Sequence, residues 1–215
     1  MSSVNRGRFI TLEGGEGAGK STQARCLAER LRTLGREVVM TREPGGSPGA
    51  EALRGLLVNG AADRWSPLSE TLLMYAARAD HLERAIRPAL AAGAWVICDR
   101  FLDSTRAYQG AGGGASPDLI GALEAAVVGP DRPNLTLVFD LPVETGLERA
   151  HLRADGEARF EGKDLDFHRR LRAAFRAIAA AEPDRCVLID AAPGPDAVAE
   201  AVWAAVTSQF AVEAP

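Results

Sequence analysis

The sequence has little cysteine and no pairing pattern among what it has. Cys26, Cys98 and Cys186 form an odd, widely spaced set without a CxxC pair. That excludes a disulfide-framed secreted scaffold and a zinc ribbon, and fits a reducing compartment in which cysteines act as small buried residues. The histidines are as sparse: His81, His151 and His168 share no metal-ligand spacing and read as surface or helix-packing residues. There is no basic excess, since the formal net charge is -4, against the sign expected of a chain that coats nucleic acid. No apolar run approaches the about 20 residues needed to cross a bilayer. The opening "MSSVNRGR" enters a strand-like run without the apolar core of a signal peptide. No Pro/Ser-rich linker and no internal repeat divides the 215 residues. The expectation is a cytoplasmic protein of one domain, 1–215, with no nucleic-acid or membrane partner.

What is present is an alternation. Short apolar runs rich in β-branched residues occur at 8–13 (RFITLE), 37–41 (EVVMT), 94–99 (AWVICD), 135–140 (LTLVFD) and 185–190 (RCVLID). They are continuous in apolar character, as strands covered on both faces are. Between them lie Ala/Leu/Arg stretches of helical period. The first, "STQARCLAERLRTLG", places Ala24, Leu27, Ala28, Leu31 and Leu34 on one stripe and stops at Gly35. Others begin near Ser69, Ser116, Val143 and Asp164, and a last one runs through "DAVAEAVWAAV". This order predicts βαβ crossovers and a three-layer α/β fold, with a five-stranded parallel sheet and helices on both faces. "GAGGGASP" at 110–117 reads as a mobile surface turn.

The stretch "FITLEGGEGAGKST" carries the chemistry. Gly14, Gly19, Lys20 and Ser21 satisfy G-x-x-x-x-G-K-S between a strand and a helix, where that pattern works. Glycines let backbone N–H groups close on an anion, and the helix N-terminus adds partial positive charge. Gly14, Gly15, Glu16, Gly17, Ala18, Gly19, Lys20, Ser21 and Thr22 are therefore the expected cradle for ATP phosphates. Lys20 reaches the β- and γ-phosphates, and Ser21 ligates Mg²⁺. A guanine-reading N-K-x-D segment is missing. Arginines downstream fall instead in "TREPGG" and "DRF", at strand ends where open parallel sheets bind ligands. Arg42 and Arg100 are expected to converge near the loop as phosphate-binding forks; the alternative for each is a surface ion pair.

Taken together, "EGGEGAGKS", "TREPGG", "YAARADH", "DRFLDSTRAYQG" and an arginine-bearing segment near 153–159 resemble the bacterial type of thymidylate kinase, a P-loop nucleoside monophosphate kinase family. The similarity runs from about Arg8 to about Asp190. The resemblance implies transfer of the γ-phosphoryl group of ATP to dTMP, with Mg²⁺, in a homodimer. By it, Arg54 and Arg100 hold the dTMP phosphate, Arg42 helps position the acceptor side, and Glu43 orients this cationic cluster. Arg78 meets thymine O4, Thr105 and Gln109 help to read the pyrimidine edge, and Tyr108 crowds the 2′ position. Glu16 accepts from the 3′-hydroxyl, and Asp99 sits near the Mg²⁺ waters or, alternatively, pairs with Arg100. Met74 stands where the family usually has Phe, leaving a kinase of another monophosphate as an open alternative.

The acceptor is already anionic, so such a site needs cations rather than a general base. The loop holds Glu16 and no arginine. The further cation is expected from a lid at about 150–163, with Arg153 and Arg159 as candidates and Arg149 a weaker third; the plain alternative is a solvated charged loop. A reading from another class, a nucleotide-dependent switch, does not explain a second set of strand-end arginines.

Overall fold

The computed structural model describes residues 6–61, 63–152, 160 and 162–212. Five parallel strands, β1 (Phe9–Gly14), β2 (Val38–Arg42), β3 (Trp95–Asp99), β4 (Leu135–Asp140) and β5 (Cys186–Asp190), lie in the order β2-β3-β1-β4-β5. Each begins and ends within a residue of its apolar run. The central β1 is buried throughout, between β3 in the register Leu12–Asp99 and β4 in the register Gly14–Phe139. Thr11 is tolerated there because its hydroxyl pairs with that of Thr136 at 2.8 Å. The border strands depart from the expected two-sided cover: Met40 on β2 and Leu188 on β5 are 37% and 42% exposed. A strand with one neighbour leaves part of its surface to solvent whatever its composition.

α1 (Lys20–Thr33) buries Ala24, Leu27, Ala28 and Leu31, the predicted stripe, against one sheet face, where α9 (Pro195–Phe210) adds Val198, Val202 and Val206. Leu34 is the C-cap of α1 and only partly buried, and Cys26, on the outward face, is exposed rather than buried as expected. Removing a core side chain such as Leu31, fully buried, costs about 2–5 kcal/mol when cut to alanine.

The other face is covered by a long helical run. α2 (Pro48–Val58), which the glycines of its sequence hid, packs on α3 (Pro67–His81). α3 starts two residues earlier than expected because Ser66, not Ser69, caps it; Ser66 Oγ accepts from the Ser69 amide at 3.2 Å. It continues through a π-turn (Leu82–Ile86) into α4 (Arg87–Ala91). Pro88 has no N–H to offer the preceding turn, which accounts for the altered hydrogen-bond spacing. α5 (Leu102–Thr105) runs into a second π-turn, Arg106–Gly112. That turn takes in the start of the glycine patch, and a Cβ on Gly112 would lie 2.7 Å from the Phe167 ring, so this part is packed; beyond it Gly113, Gly114 and Ser116 are exposed, as a surface turn would be. α6 (Pro117–Val127), α7 (Val143–His151) and α8 (Leu165–Ala181) complete the chain. Among the described residues, no helix is long and apolar enough to cross a membrane.

Candidate active site

The loop between β1 and α1 is built as its glycines predict. Gly17 and Gly19 take φ values of 67° and 85°, left-handed conformations that favour glycine. A Cβ on Gly17 would also sit 2.0 Å from the Gly146 carbonyl of α7, while the space beside Gly15 and Gly19 is open. Among the described residues no side chain caps α1, so a ligand could take up the unpaired N–H groups of its first turn. Lys20 folds back over the loop, donating to Gly14 O at 3.1 Å and Gly15 O at 2.7 Å. Burial, then the nearby Arg100 guanidinium, pull its pKa down to about 8. Ser21 Oγ donates to Asp99 Oδ2 at 2.6 Å. A hydroxyl and a carboxylate side by side at the mouth of the loop are the oxygen donors a hard divalent cation prefers.

Across the sheet edge, β3 delivers Arg100, whose backbone is left-handed at φ 69°. Its Nη1 donates to Gly14 O at 3.0 Å and Ser104 Oγ at 3.3 Å, and its Nη2 to Glu16 Oε1 at 2.9 Å. The Tyr108 hydroxyl donates to the same Glu16 oxygen at 2.6 Å, with the Arg100 guanidinium over the Tyr108 ring. Burial alone would raise the Glu16 pKa, but Arg100, Lys20 and the Tyr108 hydroxyl outweigh it and hold it at about 2. Lys20 and Arg100 thus share one carbonyl, that of Gly14.

Behind Arg100 is a cleft lined by Glu43, Pro44, Met74, Arg78, Thr105, Tyr108 and Gln109, with Phe160 against the Tyr108 ring. Arg78 is 2% exposed. Its Nε donates to Glu43 Oε2 at 2.8 Å, and its Nη2 to Phe101 O and Thr105 Oγ1, both at 3.0 Å. Its Nη1 has no hydrogen-bond partner among the described residues. A buried guanidinium with one idle donor in a cleft is costly unless a ligand completes it. Glu43 also accepts from His81 Nδ1 at 3.0 Å, and His81 Nε2 lies 2.7 Å from Thr41 Oγ1. Gln109 Nε2 donates to Glu70 at 2.8 Å, which leaves its carbonyl oxygen turned elsewhere. A second recess, on the far side of the loop, is lined by Gly17, Gly19, Thr22, Gln23, Arg149 and the chain from Ala191 to Pro195.

Several expectations need adjusting. Arg42 does not join the cleft-lining residues: it is 55% exposed and paired with Glu51 at 3.3 Å, the surface ion pair that was its alternative. β2 ends at the right sheet edge, but α2 offers its carboxylate first. Arg54 reaches the cleft rim through Pro44 O at 2.7 Å. Glu43 orients Arg78 and His81 rather than Arg42. Asp99 pairs with Ser21, not with Arg100. Arg149 donates to Ala191 O and Ala192 O at 3.2 and 3.4 Å, holding the second recess rather than facing Arg100. Arg153 and Arg159 lie outside the described residues. Sequence reasoning missed His81, which is fully buried under the cleft, and also Glu13 and Ser104. The one sign of Glu13 was a carboxylate inside an otherwise apolar strand.

The fold is an α/β P-loop NTPase-like one, with a glycine loop ahead of α1 and, across the sheet edge, a cleft lined by Arg78 and Arg100. The family model described as thymidylate kinase matches residues 12–202. A protein named thymidylate kinase from Caulobacter vibrioides is 65% identical over 204 residues, covering 95% of this chain and 96% of its own. One of the same name from Bradyrhizobium diazoefficiens is 55% identical over 210 residues, covering 97% and 92%. A crystal structure of thymidylate kinase from Ehrlichia chaffeensis superposes with a TM-score of 0.75 at 35% identity, over 94% of this chain and 99% of that one. The chain belongs to the thymidylate kinase family.

Proposed function

We propose that this protein transfers the γ-phosphoryl group of ATP to the 5′-phosphate of dTMP, giving dTDP and ADP for dTTP synthesis, in the cytoplasm. Beyond family membership, the observation that carries the proposal is the meeting of Lys20 Nζ and Arg100 Nη1 on Gly14 O, at 3.1 and 3.0 Å. Two cations, each suited to a phosphate, stand on either side of one carbonyl. Phosphates arriving from the two sides are held facing each other, which is most of what phosphoryl transfer asks of a protein. The attacking oxygen is anionic at neutral pH, so no side chain has to remove a proton.

Lys20 leaves its loop carbonyls for the donor phosphates, and Arg100, with Arg54 at the rim, takes the acceptor phosphate. Ser21 and Asp99 are the residues that would hold Mg²⁺, which when bound supplies positive charge to the donor's phosphate oxygens. Arg78 Nη1 meets a carbonyl of the base; Thr105 and Gln109 border its edge, Met74 packs on its face, and Tyr108 fills the 2′ side. The recess of Gln23, Arg149 and Ala191–Pro195 takes the donor's nucleoside. The lid at 150–163 supplies Arg153 and Arg159 to the transferred group; the reading rests on a loop with Glu16 and no arginine and on Phe160, which already packs on Tyr108. Leu68, Leu72 and Leu56, 52%, 45% and 39% exposed on α3 and α2, form the surface through which two copies associate.

A coupled ADP-release assay over a panel of monophosphates tests the reading. Turnover should depend on dTMP above dUMP, and a different preferred acceptor would replace dTMP in the proposal. Arg159→Ala should lower kcat far more than dTMP affinity; an unchanged kcat removes the lid arginine from the mechanism.

A further inference from the structure

Glu13 is a fully buried carboxylate that the reaction just described does not use. Its Oε1 accepts from the Phe101 amide at 2.8 Å and the Ser104 amide at 3.2 Å, and its Oε2 from the Ser104 hydroxyl at 2.6 Å. Those groups belong to the turn after β3, in which Phe101 offers no side-chain cap to α5. Glu13 caps that helix from another strand. The turn needs such support, because Arg100 occupies a left-handed conformation at φ 69° that disfavours a residue bearing a Cβ by roughly 1–2 kcal/mol. Ser104 Oγ, fixed by Glu13, in turn accepts from Arg100 Nη1 at 3.3 Å. Glu13 also directly precedes Gly14, where the donor loop starts.

We propose that Glu13 is a positioning residue for the acceptor phosphate: acting through the Phe101 and Ser104 amides and the Ser104 hydroxyl, it fixes the aim of Arg100 relative to the donor loop. One residue of β1 thereby sets the spacing of both phosphate pockets. The assignment rests on the dTMP kinase reading.

The charged surroundings give the proposal a sign. Asp103, itself ion-paired with Arg185, faces Glu13 from α5. Arg100 faces it from the turn, Cys98 from β3, Lys20 from α1 and Arg78 from α3. Burial first, and then Asp103, push the Glu13 carboxyl up to about 7. A folded-state value above the unfolded one means that its contribution to stability is full in acid and is lost as pH rises through about 7. Glu13→Gln keeps the shape, retains an oxygen for the two amides and removes this burden. It also turns the Ser104 contact around, with an amide N–H now donating to the hydroxyl that Arg100 needs.

The test is steady-state kinetics from pH 6 to 9 for wild type, Glu13→Gln and Ser104→Ala, with thermal melts at each pH. For Glu13→Gln, KM for dTMP should rise about tenfold, as expected for a weakened hydrogen bond to a charged group, and KM for ATP should change less than about twofold. Its melting temperature above pH 7 should equal or exceed that of wild type. The wild-type/variant ratio of kcat/KM for dTMP cancels the titration of the substrate and should climb through about pH 7, following Glu13. Ser104→Ala should raise KM for dTMP alone by a few-fold. Equal changes in both substrates' constants, a dTMP constant untouched in either variant, or a flat ratio overturns the proposal. If Glu13→Gln does not fold, Ser104→Ala decides. A wild type without dTMP-dependent turnover would instead sink the kinase reading itself.

Discussion

Replacing Arg78 by methionine separates what this side chain does for the fold from what it does for the substrate. The guanidinium is 2% exposed and its partner Glu43 is 5% exposed. Methionine keeps much of the volume between the Tyr75 and Phe101 rings, which lie 4.8 and 5.1 Å from the guanidinium carbon, but strands the carboxylate. Leaving one partner of a buried ion pair costs about 3–5 kcal/mol. For a domain of this size that corresponds to a fall in Tm of about 6–20 °C. Glu43→Gln in the same background removes the stranded charge while keeping an oxygen for His81. The double variant should therefore recover part of the loss, with a coupling of about 1–3 kcal/mol in a denaturant cycle. Activity should not recover with it. The Nη1 donor is gone in both, so kcat/KM for dTMP should stay lower by about 10- to 150-fold, the value of ~1.5–3 kcal/mol for a charged hydrogen bond. Urea melts and initial rates on all members of the cycle settle the matter. Additive stabilities would refute the buried pair as the dominant effect, and activity returning with stability would refute the direct role toward the base.

Three other outcomes follow from the same geometry. Arg149→Ala releases the chain at Ala191 and Ala192 and should raise KM for ATP several-fold while leaving KM for dTMP alone; the opposite split would place the donor nucleoside elsewhere. Leu72→Glu, on the exposed stripe of α3, should convert a dimer to monomer in sedimentation velocity, and an unchanged dimer would move the interface off α2 and α3. Glu16 has a folded value of about 2 against an ordinary 4.5, so its contribution to stability is full above 4.5 and is lost as pH falls from there toward 2. On the order of 3 kcal/mol is at stake, and Glu16→Gln should flatten the acid limb of the stability profile; an unaltered limb would show that Arg100 and Tyr108 do not hold a carboxylate there.

Strand positions were legible in the sequence because each strand is a dense block of Val, Ile, Leu or Phe ending at a glycine or a charge. The phosphate loop was legible because its parts are contiguous, from Gly14 to Thr22. α2 was not, since Gly49 and Gly55 speak against a helix even though Pro48 stands at its first position, and packing on α3 supports it. Family likeness named Met74, Arg78, Arg100, Thr105, Tyr108 and Gln109 together, and they line one cleft, but their wiring was not legible. Strand-end position located Arg42 at the correct edge without revealing that Glu51 would claim it. Glu13 meets Ser104 across 91 positions, and Glu43 meets His81 across 38. Partnerships of that reach leave no periodicity or spacing to read.

Under the proposed function, the joint made by Glu16, Tyr108 and Arg100 means that the donor and acceptor pockets do not bind independently. A phosphate arriving at Arg100 competes with Glu16 for the same guanidinium edge, and a triphosphate that reshapes the loop moves the backbone from which Glu16 projects. Occupancy on one side therefore changes the free energy of filling the other, and a closed thermodynamic square requires the influence to be equal in both directions. Titrating each nucleotide with and without its companion measures that single quantity twice.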